Sequence, residues 1–189
     1  MNKTLNTKKM VISALLCAIG IVIPMFSPIK IVLEPASFTL ASHVAIFIAM
    51  FISPSTAIFV AIGSALGFLL GGFPLLVVLR AFSHVVFSGL GALYIQKHQN
   101  TLSSWKSATI FSFVIALIHA IGEVLIVAPF YFGSSLSQSY YNSGFVTSVM
   151  GLVGLGTIVH SMIDFTISKY IWDAIPKRLL NKEVSKVAS

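Results

Sequence analysis

Three pairs of ionisable side chains stand four residues apart inside long apolar runs: Arg80 and His84, His119 and Glu123, His160 and Asp164. Four residues is about one helical turn, so each pair shares a helix face. A charge at the centre of a bilayer costs about 2.5 to 3.5 kcal/mol on insertion scales, so such groups mark ligand sites, relays or buried pairs. Arg80 lies six residues after Pro74, and Glu123 lies seven before Phe130. At about 1.5 Å per residue both sit roughly 10 Å below one membrane face. At that depth they can form a structural ion pair, or offer complementary contacts to a polar ligand. His84 and His119 read either as ligand contacts or as satisfied core histidines. His160 lies some fifteen residues into its run, roughly 22 Å deep by the same rise. That places His160 and Asp164 away from the ligand, bracing the inner half of the bundle. His43, near the outer start of a short run, carries no expected role.

Uncharged Tyr131, Tyr140, Tyr141 and Asn142 ring the same mouth and suit a small planar ligand. Interfacial tyrosine is also ordinary membrane-belt chemistry. A zinc site needs three or four close ligands. His84, His119 and Glu123 could supply three, but His119 and Glu123 form a plain i, i+4 pair with no HExxH, so no metal is expected. No serine is singled out as a nucleophile, and no Walker loop is present.

The elements that position these groups follow from composition. The chain has 189 residues, 57% hydrophobic and 9% charged, with a mean hydropathy of +0.96. Soluble domains carry about a quarter charged residues, so a soluble domain and a disordered chain are both excluded. A span uses roughly 20 apolar residues, so six use about 120 and leave about 69 for loops and tails. We expect a single six-helix transmembrane domain over residues 1–189, all-α. Its spans are helix 1 (about 9–26), helix 2 (40–52), helix 3 (54–70), helix 4 (74–96), helix 5 (105–130) and helix 6 (145–172). Pro54 and Pro74 start helices at a first turn. Ser27 to Thr39, with two prolines and two charges, is too polar to span and too apolar for a solvated loop. It should fold back over the membrane face.

Twelve Lys and Arg against five Asp and Glu give a net charge of +7. Lys3, Lys8, Lys9, Lys97, Lys106, Lys169, Lys177, Arg178, Lys182 and Lys186 all fall on one side of a six-span alternation. That is the positive-inside pattern, with both termini cytoplasmic and the outer loops at 27–39, 71–74 and 132–144. The excess therefore reads as topology and attraction to anionic lipid, not as nucleic-acid binding. The basic start resembles a signal peptide, but no cleavage site follows, and we read it as a retained helix. The lone Cys17 excludes an internal disulfide. Ala14-Leu-Leu-Cys-Ala18 forms a small-xxx-small face of the kind that lets helices approach closely in lipid. Gly63 to Gly67 and Ser88 to Gly91 repeat the theme, there read as internal packing.

Size, the Ala14-x-x-x-Ala18 face, the long segment before helix 2 and the polar outer halves of the later helices together resemble the substrate-binding S components of energy-coupling factor (ECF) vitamin transporters. The run from Lys30 to His43, Ile46 to Pro54, Gly71-Gly-Phe-Pro74 and Leu79-Arg-Ala-Phe-Ser-His84 resemble the niacin-specific members. The resemblance implies a bacterial plasma-membrane protein that is not an enzyme and needs no cofactor. It captures a vitamin under the helix 1–2 loop and works with a transmembrane coupling subunit, docked at Ala14 and Ala18, and two ATPase subunits. For nicotinate, Arg80 would grip the carboxylate through parallel hydrogen bonds. His84 or His119 would meet the ring nitrogen, with Glu123 orienting them. Phe38, Phe73, Tyr131 and Tyr141 would stack on the ring, and Glu34 and Asn142 would complete the site. Pyridoxine-type vitamers and hydroxymethylpyrimidine remain open as ligands. Two other classes are kept in view: a self-sufficient proton-coupled carrier, and an intramembrane enzyme using His119, Glu123 and Asp164.

Overall fold

A computed structural model describes residues 3–33 and 36–176. Among them the chain forms α1 (Lys3–Phe26), β1 (Lys30–Leu33), β2 (Ala36–Thr39), α2 (Val44–Ile52), α3 (Pro54–Leu70) and α4 (Leu75–Lys97). After a short 3-10 turn follow α5 (Trp105–Phe132), a five-residue α6 (Gln138–Asn142), a π-helical stretch (Val146–Leu155) and α7 (Gly156–Ala174). Among the described residues, four helical segments are long and apolar enough to cross a membrane: Thr7–Phe26, Leu75–Lys97, Trp105–Phe132 and Val146–Ala174. Their outward faces carry large apolar side chains such as Leu15, Leu90, Leu125 and Val146. Exposed side chains of this kind belong against lipid tails rather than water. The chain is a multi-pass helical membrane protein.

Local sequence explains the boundaries. Ser53 ends α2 and caps α3, its Oγ accepting the Thr56 N–H at 3.2 Å, with Pro54 at the first helical position. Ser104 caps α5 in the same way on the Ser107 N–H. Gly72, at φ +74°, makes the turn between α3 and α4.

One expectation is corrected. Helix 2 does not run from Leu40: α2 has nine residues, about 14 Å of helix, against a hydrocarbon core of about 30 Å. Residues 40–43 are instead a turn that holds the N-terminus of α2 inside the bundle. The segment expected to fold back over the membrane face contains an antiparallel hairpin, Lys30 opposite Thr39 and Leu33 opposite Ala36.

Small residues set the helix spacing. A Cβ on Gly63 would lie 2.3 Å from Cys17 Sγ, and one on Gly67 would lie 2.3 Å from Ile21 Cδ1. So α1 packs on α3 through its Cys17–Ile21 side, and Ala14 and Ala18 stay exposed on the other. Below α2's first turn an aromatic core closes the bundle. Phe47 and Phe165 meet edge-to-face at 5.3 Å, and Phe51 meets Trp172 at 5.6 Å.

Candidate functional site

A cavity of about 300 Å³ opens between α1, β2, α2, α3, α4, α5 and α7. Arg80, His84, His119 and Glu123 line it, as do His43 and His160. Glu123 is buried and acts as a hub. Arg80 donates its Nε–H to Glu123 Oε2. His84 Nε2 lies 3.2 Å from the other carboxylate oxygen. His119 Nε2 is 3.4 Å from that same oxygen but has no directed hydrogen bond. Because Nε satisfies Glu123, the two Nη groups of Arg80 remain for another acceptor; among the described residues they make no hydrogen bond. An arginine fork with a free end in a cavity fits a carboxylate or phosphate.

Asp164 is the second hub. Its Oδ1 accepts the Ala41 N–H at 2.8 Å, and its Oδ2 accepts the His43 N–H at 2.9 Å. Oδ2 also accepts from His43 Nδ1 at 3.1 Å. A carboxylate acceptor at a helix start satisfies donors that would otherwise be orphaned. Here the carboxylate comes from α7, 121 residues away from His43. Ala41 holds φ +66°, a left-handed conformation that costs a non-glycine residue roughly 1 to 2 kcal/mol. The Asp164 bond to its N–H offsets that cost and fixes the turn carrying Ser42 and His43 into the cavity. Ser42 Oγ lies 3.0 Å from His160 Nε2.

The four histidines are therefore one group. The His43 ring centroid is 4.8 Å from those of His84 and His119 and 5.0 Å from that of His160. His84 and His119 are 4.8 Å apart. The expectation that His160 lies too deep for the site is overturned, as is the bland reading of His43. The depth count assumed straight α-helix from the outer boundary and a full-length helix 2. The wide turns of Val146–Leu155 and the sunken start of α2 remove both assumptions.

Phe38, from β2, tilts against His160 with centroids 5.5 Å apart. Its ring is seated on Gly156, where a Cβ would lie 2.5 Å from Cζ. Phe38 and Phe73 both line the cavity, and Phe73 is stacked on Phe68 at 4.7 Å. Tyr131, Tyr141 and Asn142 do not line it. Tyr141 Oη donates to the Tyr131 carbonyl at 3.2 Å and accepts the Leu136 N–H at 3.1 Å. Asn142 Oδ1 accepts from Gln138 Nε2. These polar ends tie down the loop between α5 and the π-helical stretch, because α5 continues to Phe132 and carries Tyr131 past the mouth. Glu34 lies outside the described residues. Thr39, Ser42, Thr157, His43 and His160 are lining residues that sequence reasoning did not place. The four-residue spacing of His160 and Asp164 was the available signal.

A membrane-type helical bundle with a polar cavity lined in part by the hairpin residues Phe38 and Thr39 has the architecture of a protein that binds a small solute. The chain belongs to the ECF-type riboflavin transporter S component family, whose model matches residues 4–169. It is 37% identical over 175 residues to the niacin transporter NiaX of Lactococcus lactis subsp. cremoris, covering 93% of this chain and 78% of that protein. No solved structure matches it.

Proposed function

We propose that this chain captures nicotinate, or a close single-ring aromatic carboxylate, in the cavity and delivers it for ATP-driven uptake across the bacterial plasma membrane. The observation that carries the reading is the free Nη end of Arg80, anchored by Glu123 and facing the cavity. The fork takes the carboxylate, His84 or His119 meets the ring nitrogen, and Phe38 and Phe73 contact the ring faces. The niacin-transporting relative supports this choice. So does size: about 300 Å³ is at the small end of ligand pockets and suits one ring better than a fused tricycle.

Counting the β2–α2 segment as one traverse gives six crossings, with both termini on the Lys-rich cytoplasmic side. The exposed Ala14 and Ala18 face of α1 is the surface for the coupling subunit, which brings two ATPase subunits. Thermal unfolding of the purified chain in detergent with a vitamin panel tests the ligand. A ligand at 100 times its Kd adds about 2.7 kcal/mol. Nicotinate should shift the transition, and riboflavin and pyridoxine should not. A shift with riboflavin alone contradicts the reading. The histidine cluster is the one feature favouring a proton-coupled carrier. Uptake by vesicles holding this chain alone under a pH gradient would establish that instead.

A further inference from the structure

We propose that His43, His84 and His119 form a binding site for a divalent transition metal of the zinc class at the floor of the cavity. One ring nitrogen from each lies within 4.8 Å of the other two, and all three residues are buried. The sequence suggested Glu123 as the third ligand; the fold commits Glu123 to Arg80 and supplies His43 from the sunken start of α2.

Two further observations point to a metal rather than to packing. Each histidine has one ring nitrogen engaged by a polar neighbour. His43 Nδ1 donates to Asp164 and His84 Nε2 donates to Glu123, since an ionised carboxylate only accepts. His119 Nδ1 lies 3.3 Å from Ser161 Oγ. Metal-binding imidazoles are oriented in this manner, the far nitrogen fixed by a carboxylate or another polar group. Secondly, His119 Nε2 is buried and makes no directed hydrogen bond, its neighbour Glu123 Oε1 lying 3.4 Å away, and a metal bond would satisfy it. Phe87, stacked on the His119 ring at 4.3 Å, fixes the ring plane.

Tetrahedral bonds of 2.0 to 2.1 Å put ligand nitrogens about 3.4 Å apart, so the three rings must close by up to about 1.4 Å. Side-chain rotation within a cavity of this size allows it. Imidazole donors suit zinc, copper, iron and nickel rather than magnesium or calcium. Three protein ligands leave a fourth position, which faces the space that Arg80 lines. The alternative set of His43, His160 and Asp164 is less suited, because both Asp164 oxygens already accept backbone N–H groups. The site stands on the histidines and does not depend on nicotinate being the solute; with the metal bound, its open fourth position, and not His84 or His119, would meet a ring nitrogen.

The test uses the full chain, purified without a polyhistidine tag and stripped with chelator. Zn²⁺ is titrated by calorimetry and Co²⁺ by its visible spectrum. One Zn²⁺ per chain should bind, and Co²⁺ should develop the intense bands of tetrahedral nitrogen coordination. Removing an outer-shell partner costs about 10- to 100-fold in metal affinity. Ser161→Ala should therefore weaken Zn²⁺ by about tenfold, and His43→Gln or His119→Gln by more than about 100-fold. His98→Gln, at the exposed end of α4, should change nothing. Monodispersity and helical circular dichroism check that each variant is folded; Ser161→Ala, the mildest, serves if a histidine variant is not. Absence of stoichiometric Zn²⁺ binding, or binding lost only in His98→Gln, overturns the proposal. Nicotinate binding to the stripped protein is measured separately, so failure of the metal site and failure of the ligand assignment are distinct results.

Discussion

Arg80 with Glu123 and Lys169 with Asp173 join the same types of charge in two settings. The first pair crosses from α4 to α5, lines a cavity and shares its carboxylate with His84. The second is an i, i+4 pair on α7, with Lys169 Nζ 2.6 Å from Asp173 Oδ1 and 5.0 Å from the centroid of the Trp105 ring. Asp173 keeps 45% of its side-chain surface exposed. One helix alone makes the second pair, and neither residue lines the cavity. Assembly of the bundle makes the first, and it leaves a guanidinium edge free. Charge pairing within a membrane protein thus indicates a ligand site when it spans helices and borders space.

That contrast can be broken by mutation. The largest effect is expected for Glu123→Ala, which leaves Arg80 without its counter-charge. Losing one partner of a buried pair costs about 3 to 5 kcal/mol, read as a lower thermal midpoint in detergent with ligand binding abolished. Asp164→Ala should cost as much. It strips the acceptor from two backbone N–H groups and from His43, at about 1 to 3 kcal/mol for each buried donor left unsatisfied. Ligand affinity should fall with stability, because the turn carrying His43 loses its anchor. Ala14→Trp should block uptake in cells expressing the coupling subunits while leaving binding within about twofold, since bulk prevents close helix approach. Uptake that persists would remove this face as the docking surface. The smallest effect belongs to Lys169→Met. Lys169 is buried, but methionine fills similar space, Asp173 is 45% exposed and can be solvated, and ligand affinity should be unchanged.

Much of this was legible before the fold. The four-residue spacing of Arg80/His84 and His119/Glu123 placed two faces toward one another, and Ser53-Pro54 marked the boundary of α3. What failed was depth. Residue counting treats every apolar run as a straight rod beginning at the membrane surface. Residues 40–43 break that rule, because Asp164 rewards a left-handed Ala41 that local propensity disfavours. The π-helical turns before Gly156 break it again. The first departure depends on a contact 123 residues apart in sequence, which no local pattern carries. Tyr141 illustrates the converse: suitable chemistry at the expected mouth, consumed by hydrogen bonds within its own loop.

The central claim is that Arg80 grips the carboxylate of a small aromatic solute. Isothermal titration of nicotinate into the purified chain and into Arg80→Ala tests it most directly. The account predicts tight, ATP-independent binding that weakens by more than about 2 kcal/mol on losing a charge-assisted bond, roughly 30-fold. Nicotinamide should bind the two proteins with far less difference. Equal nicotinate affinity in a folded Arg80→Ala protein would contradict the account.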